Sequence, residues 1–129
     1  MAATSAAMTA EIIMSPTTIY KIVPTDLWRA AERDGVFHGS PVDLQDGFIH
    51  FSTAAQAAET AAKHFRGQTN LLLVFVDADM LGDALKWEPS RGGALFPHLY
   101  GALALSAVTR VVPLPLDASG VHKFPALDT

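Results

Sequence analysis

Apolar and polar positions alternate over Thr18–Val23, a β-branched and aromatic stretch that reads as a strand and that Pro24 stops. Thr25 or Asp26 caps a helix that carries Leu27, Trp28, Ala30 and Ala31 and ends at Gly35. Periodicity is lost over Phe37–Asp46. Gly39, Ser40 and Pro41 are turn formers, and Asp43 and Asp46 add charge, so the pattern predicts a polar loop. Alternation resumes at Gly47–Phe51, a short strand that runs straight into a helix. Side chains alternate across a strand, so Ile49 and Phe51 share one face while Phe48, His50 and Ser52 share the other. Thr53 with Gln56 predicts a capping box, with Ser52 as the neighbouring alternative. The helix from Thr53 to about Phe65 is alanine-rich, with Ala54, Ala58, Ala61 and Phe65 on its expected buried face, and Gly67 ends it.

Leu71–Val76 is an unbroken apolar run, which predicts a central strand buried on both faces. Asp77 closes it and caps a short turn through Met80 to Gly82. Leu85–Glu88 alternates again, with Leu85 and Trp87 opposite Lys86 and Glu88. A loop of Pro89, Ser90, Arg91, Gly92 and Gly93 follows. Pro97 makes Leu95–Gly101 an edge strand or extended loop, and Ala107–Val112 is the last strand before a turn-rich tail. Strands outnumber helices, no repeat or second-domain boundary is visible, and the order suits an α+β domain.

Composition changes this picture only by exclusion. A chain of 129 residues, half of them hydrophobic and 17% charged, fits one globular domain with its own core. The net charge of −4 argues against a general nucleic-acid binder. The absence of cysteine removes disulfides, thiolate chemistry and Cys-based zinc sites. No apolar run is long enough to cross a membrane. Residues 1–17 lack the basic start of a signal peptide and are expected to be a flexible leader, with Met8 or Met14 as candidate natural starts.

The polar face of the Gly47–Phe51 strand delivers His50 and Ser52 to a helix N-terminus. An imidazole, a hydroxyl and free backbone N–H groups together suit an anion or a ribose. The plain alternative for His50 is a half-buried ring with one backbone hydrogen bond, and for Ser52 and Thr53 it is helix capping. Glu88 either polarises a hydroxyl and stabilises a cationic centre, or is a solvated strand carboxylate. Ser90 and Arg91 beside two glycines offer a guanidinium and backbone N–H groups to a phosphate, or form a simple hairpin loop. His98 and Tyr100 share one face if the segment is extended, either to hold a ring and a hydroxyl or to cover an edge. Trp28 and Trp87 read as core. The five histidines show no metal-ligand spacing: His64 and His122 read as solvated, and a zinc site from His50, Glu88 and His98 is the weakest option. Phosphate-binding glycine motifs and G-x-S-x-G are absent.

Tyr20-Lys-Ile, Trp28 with Ala31 and Gly35, Gly47-Phe-Ile-His-Phe-Ser-Thr with Gln56, Trp87-Glu-Pro and Phe96-Pro-His-Leu-Tyr-Gly101 occur in that order. Together they resemble a family of small, mostly bacterial proteins catalogued as a domain of unknown function. The resemblance runs from about residue 18 to 115. That family is similar to the ADP-ribosyltransferase superfamily, which includes RNA 2′-phosphotransferases. The resemblance implies a split, mostly antiparallel sheet with two main helices, and NAD, an ADP-ribosyl or a phosphorylated nucleotide compound as substrate. His50 falls at the aromatic or hydroxyl position of the second motif, and Lys21 stands where the first motif has His or Arg. Glu88 or His98 takes the place of the late glutamate.

The expectation is therefore an α+β domain over residues 18–129 with an ADP-ribosyltransferase-like split sheet. Its cleft has His50, Glu88 and His98 as catalytic groups, and Lys21, Ser52, Thr53, Ser90, Arg91 and Tyr100 as substrate-binding groups. His50 and His98 position ribose or phosphate, Lys21 and Arg91 neutralise diphosphate, and Glu88 assists the acceptor. The ligand is nucleotide-like, with NAD as substrate and no metal. The protein is expected to be cytoplasmic, with no membrane partner and its oligomeric state open. The alternatives are a binding module using the same cleft without turnover, and an interaction domain whose polar cluster braces loops.

Overall fold

The computed structural model describes residues 17–127, so nearly all of the expected leader lies outside the described residues. Strand β1 (Thr18–Pro24) leads directly into helix α1 (Thr25–Asp34), which ends at Gly35 in the left-handed conformation. Strand β4 (Leu71–Asp77) lies between β1 and strand β8 (Val108–Pro113), antiparallel to both. Every residue of Leu71–Val76 is buried, as its unbroken apolar run predicts. One face packs Ile19, Val23, Leu72, Val74 and Val76 against Trp28 and Ala31 of α1. The other packs Tyr20, Ile22, Leu73 and Phe75 against the alanine-rich helix α3 (Ala54–His64).

A second sheet holds strands β3 (Ile49–His50), β6 (Leu95–Leu99) and β5 (Leu85–Pro89) in the order β3-β6-β5, again antiparallel. The two sheets share a core through Ile49 and Leu99, and an isolated backbone bridge links them. Tyr20 and Ser52 exchange both backbone hydrogen bonds, each at 2.8 Å. A two-residue pairing of β2 (Val36–Phe37) with β7 (Leu103–Ala104) closes the far side. The result is a mixed α+β fold with mostly antiparallel sheets, as expected.

Several local expectations are corrected. The stretch read as a polar loop contains a six-residue helix, α2 (Pro41–Asp46). Ser40 and Asp43 cap it reciprocally and Pro41 opens it, so turn-forming residues here start a helix. The predicted Gly47–Phe51 strand shrinks to β3, because Gly47 is the left-handed cap of α2. The proline strand β6 is central in its sheet, not at an edge. In a strand, one residue's N–H and C=O point to the same side. The Pro97 carbonyl accepts from Phe51 N–H at 3.0 Å, so its missing donor faces the end of β3, where the ladder stops.

On α3 the buried alanines are Ala57 and Ala61, with Ala54 and Phe65 packed near them, while Ala58 is exposed. A run of identical alanines carries no size difference from which to read the face. Trp28 is core, but Trp87 on the edge strand β5 is 42% exposed. His122 is not solvated either: it is buried, with Nε2 at 2.9 Å from the Gln68 carbonyl, and ties the tail to the end of α3.

Candidate functional site

A cleft of about 580 Å³ opens where the two sheets part. Its floor is formed by β1, β3 and β6, and its walls by α2 and the alanine-rich helix. His50 and His98 are direct cross-strand partners in the β3–β6 register, their ring centroids are 5.5 Å apart, and both line this cleft. The two imidazoles singled out by alternation therefore share one hollow. Phe48, on the same face, stacks on His98 with centroids 4.1 Å apart and contacts His50 at 4.6 Å.

Each imidazole is held by a carboxylate. His98 Nδ1 lies 2.7 Å from Glu88 Oε1, and Tyr100 donates to the same oxygen at 2.8 Å. The hydrogen bonds from His98 and then Tyr100 hold the Glu88 carboxyl below its ordinary range, and the same bond raises the Tyr100 phenol. His98 is buried, and its Nε2 has no hydrogen-bond partner among the described residues.

His50 is gripped from both sides. Nδ1 is 2.6 Å from Asp43 Oδ1, and Nε2 is 2.9 Å from Asp46 Oδ2. Asp43 is the hub of this half of the site. Lys21 Nζ sits 3.0 Å from its Oδ1 and 2.9 Å from its Oδ2. Ser40 N–H and hydroxyl donate to Oδ2, and His50 N–H donates to Oδ1. Asp43 is 1% exposed and Lys21 7%. Burial would raise the Asp43 carboxyl, but the His50 hydrogen bond and the Lys21 charge outweigh it and drive it well below the usual carboxylate range. Burial pulls the Lys21 ammonium down, against the opposing pull of Asp43.

This depression has a pH consequence. Between the folded value of Asp43 and its ordinary 3.8, the unfolded chain binds more protons than the folded one. The stabilisation is complete above that range and is lost as pH falls through it. Urea midpoints of the wild type should therefore decline between about pH 5 and pH 2, with a shallower decline for Asp43→Asn.

The expected site residues do not all converge. Lys21, His50, Ser52, Ser90 and His98 line the cleft. Glu88 and Tyr100 stand behind His98 and do not line it. Thr53 is a helix cap, its N–H donating to Gln56 Oε1 at 3.0 Å. The Ser52 hydroxyl turns onto Thr60 at 2.8 Å. The Arg91 side chain lies outside the described residues. Lys21 meets the cleft, but its ammonium is engaged by a buried carboxylate.

The residue that sequence reasoning missed is Asp43, 22 positions from Lys21 and seven from His50. One signal pointed to it. A lysine between Ile19 and Val23 on a core-facing strand requires a carboxylate partner. Among the described residues no three His, Asp or Glu side chains are placed to hold one metal ion, and no helix is long and apolar enough to cross a membrane.

Three comparisons place the chain among known proteins. A family model described as Protein of unknown function (DUF952) matches residues 22–111. The crystal structure of protein CC0527 from Caulobacter crescentus is 60% identical, with a TM-score of 0.80 over 83% of this chain and 94% of that one. The solution NMR structure of CC0527 is also 60% identical, with a TM-score of 0.73 over 81% of this chain and 90% of that one. No curated protein matches the chain.

Proposed function

We propose that this chain, which belongs to the DUF952 family, is an enzyme acting on NAD or a related ADP-ribosyl or phosphorylated nucleotide compound in the cleft between its two sheets. The observation that carries the reading is the cross-strand pair: His50 and His98, 5.5 Å apart, open onto one cleft of about 580 Å³. That volume suits a nucleotide-sized ligand. The α+β fold, whose two three-stranded sheets are bridged at Tyr20 and Ser52, is consistent with the split sheet of ADP-ribosyltransferase-like proteins. That likeness is a fold-level analogy and adds to the reading without carrying it.

In this reading His98 is the proton acceptor or hydroxyl-binding group. Glu88 holds its Nδ1, so Nε2 is the nitrogen that meets the substrate. His50 positions the ribose, Ser52 and Ser90 lie along the ligand's path, and Arg91 is the group left to meet a diphosphate. Glu88 and Tyr100 act through His98 as positioning residues, and Thr53 acts through α3. Lys21 acts through Asp43, with its remaining ammonium proton available to the ligand. NAD serves as a substrate, without a metal, and the protein works in the cytoplasm.

The second reading, a module that binds the same ligand without turning it over, draws on one observation. Glu88 stands behind His98, with Oε1 taken by His98 and Tyr100, and does not line the cleft. Incubation with carbonyl-labelled NAD separates the two. Release of labelled nicotinamide establishes the enzyme. A melting shift with ADP-ribose but no nicotinamide establishes the module. No response to NAD, ADP-ribose or nucleoside phosphates overturns both.

A further inference from the structure

Asp46 has no part in the reading above. It is the last residue of α2, it lines the cleft, and its Oδ2 lies 2.9 Å from His50 Nε2. The other ring nitrogen faces Asp43. These two carboxylates are not equivalent. Asp43 is 1% exposed and is fixed by Lys21 and Ser40 as well. The Asp46 side chain is 41% exposed, and among the described residues its carboxylate is held by the imidazole alone.

Each ring nitrogen of His50 thus faces a carboxylate oxygen. The cleft-side nitrogen of His50 therefore already has an anion beside it. The rest of the floor repeats the pattern, with Lys21 matched to Asp43 and His98 to Glu88. An anionic group entering at His50 meets a carboxylate before it meets a free donor.

We propose that Asp46 is the charge-selectivity residue of the cleft: it occupies His50 Nε2 as a built-in anion, so that this end admits hydroxyl- and amine-donating groups and turns away phosphates and carboxylates. The inference deepens the proposed function and rests on the cleft being a ligand site. A ribose hydroxyl can donate to Asp46 without moving it from His50. A phosphate must displace Asp46 from His50 and leave a like charge beside itself, which is how an interface rejects a wrong partner.

The test is pyrophosphate titration followed by the histidine ring resonances, with wild type, Asp46→Ala, Asp46→Asn and Asp79→Ala compared. Asp79 is an exposed acid on the rim of a different hollow and controls for the loss of one negative charge. Asp46→Ala should bind pyrophosphate about tenfold more tightly than wild type, with the shifts centred on His50, and Asp46→Asn should gain less because its amide oxygen keeps an acceptor beside Nε2. Asp79→Ala should match wild type. No gain in Asp46→Ala, or an equal gain in Asp79→Ala, overturns the proposal. Nicotinamide release from NAD is scored separately. A pyrophosphate gain without turnover leaves the selectivity standing and removes the enzyme, while turnover without a gain does the reverse.

Discussion

Asp43→Ala should lower the unfolding free energy by about 3–5 kcal/mol, because it leaves the Lys21 ammonium buried without its counter-charge. Lys21 sits between Ile19 and Val23 on a strand whose neighbours are core, and it is 7% exposed. Taking a charge out of water is tolerated only while a partner and hydrogen bonds replace the solvent. Asp43 supplies that partner, and it also anchors Ser40 at the start of α2 and the His50 backbone at β3. The loss is large against a whole-domain stability of about 5–15 kcal/mol. Urea unfolding of the single variant, beside the double variant Lys21→Met with Asp43→Leu, checks the cause. The double variant removes both charges and should recover much of the loss. An Asp43→Ala midpoint equal to that of the wild type would show that Lys21 finds water and that the hub carries no load.

His98→Ala should leave the domain folded and reduce nicotinamide release by about 10²–10⁴-fold, the range for removing a general acid or base. The stability cost is small for a physical reason. Glu88, which His98 would leave behind, is itself partly exposed and keeps its bond from Tyr100. The functional cost is large because His98 Nε2 is the floor nitrogen with no carboxylate on it. Glu88→Gln separates orientation from presence. It keeps the imidazole but removes the carboxylate that fixes its tautomer, so the pH profile of the remaining activity should move while ADP-ribose affinity changes little. If His98→Ala unfolds the chain, or keeps full activity, the ring is structural.

Much of the framework was legible in the sequence because it is local. Alternation placed β1 and β5, an unbroken apolar run placed β4, and the Thr53–Gln56 pair marked the start of the alanine-rich helix. Alternation also put His50 and Ser52 on one face and His98 and Tyr100 on another. The sequence reading put His50 and His98 in one cleft; that they do so as cross-strand partners was not legible. What was not legible is tertiary. Asp43 sits in a stretch whose Gly, Ser, Pro and Asp composition is that of a turn, and its partners come from two other strands. Trp87 is exposed on a strand with no neighbour on its outer side, which alternation along the strand cannot reveal. Pro97 misled because the rule against proline in a central strand concerns a missing donor, and here that donor faces the end of a very short strand.

The central claim is that His50 and His98 form the floor of a single ligand site. Titration of the ¹⁵N-histidine-labelled protein with ADP-ribose tests it most directly. The account predicts that the ring resonances of His50 and His98 move together along one saturable isotherm, while those of His122, buried where the tail meets Gln68, stay still. Movement of only one of the two rings, or of neither while another part of the protein responds, would contradict it.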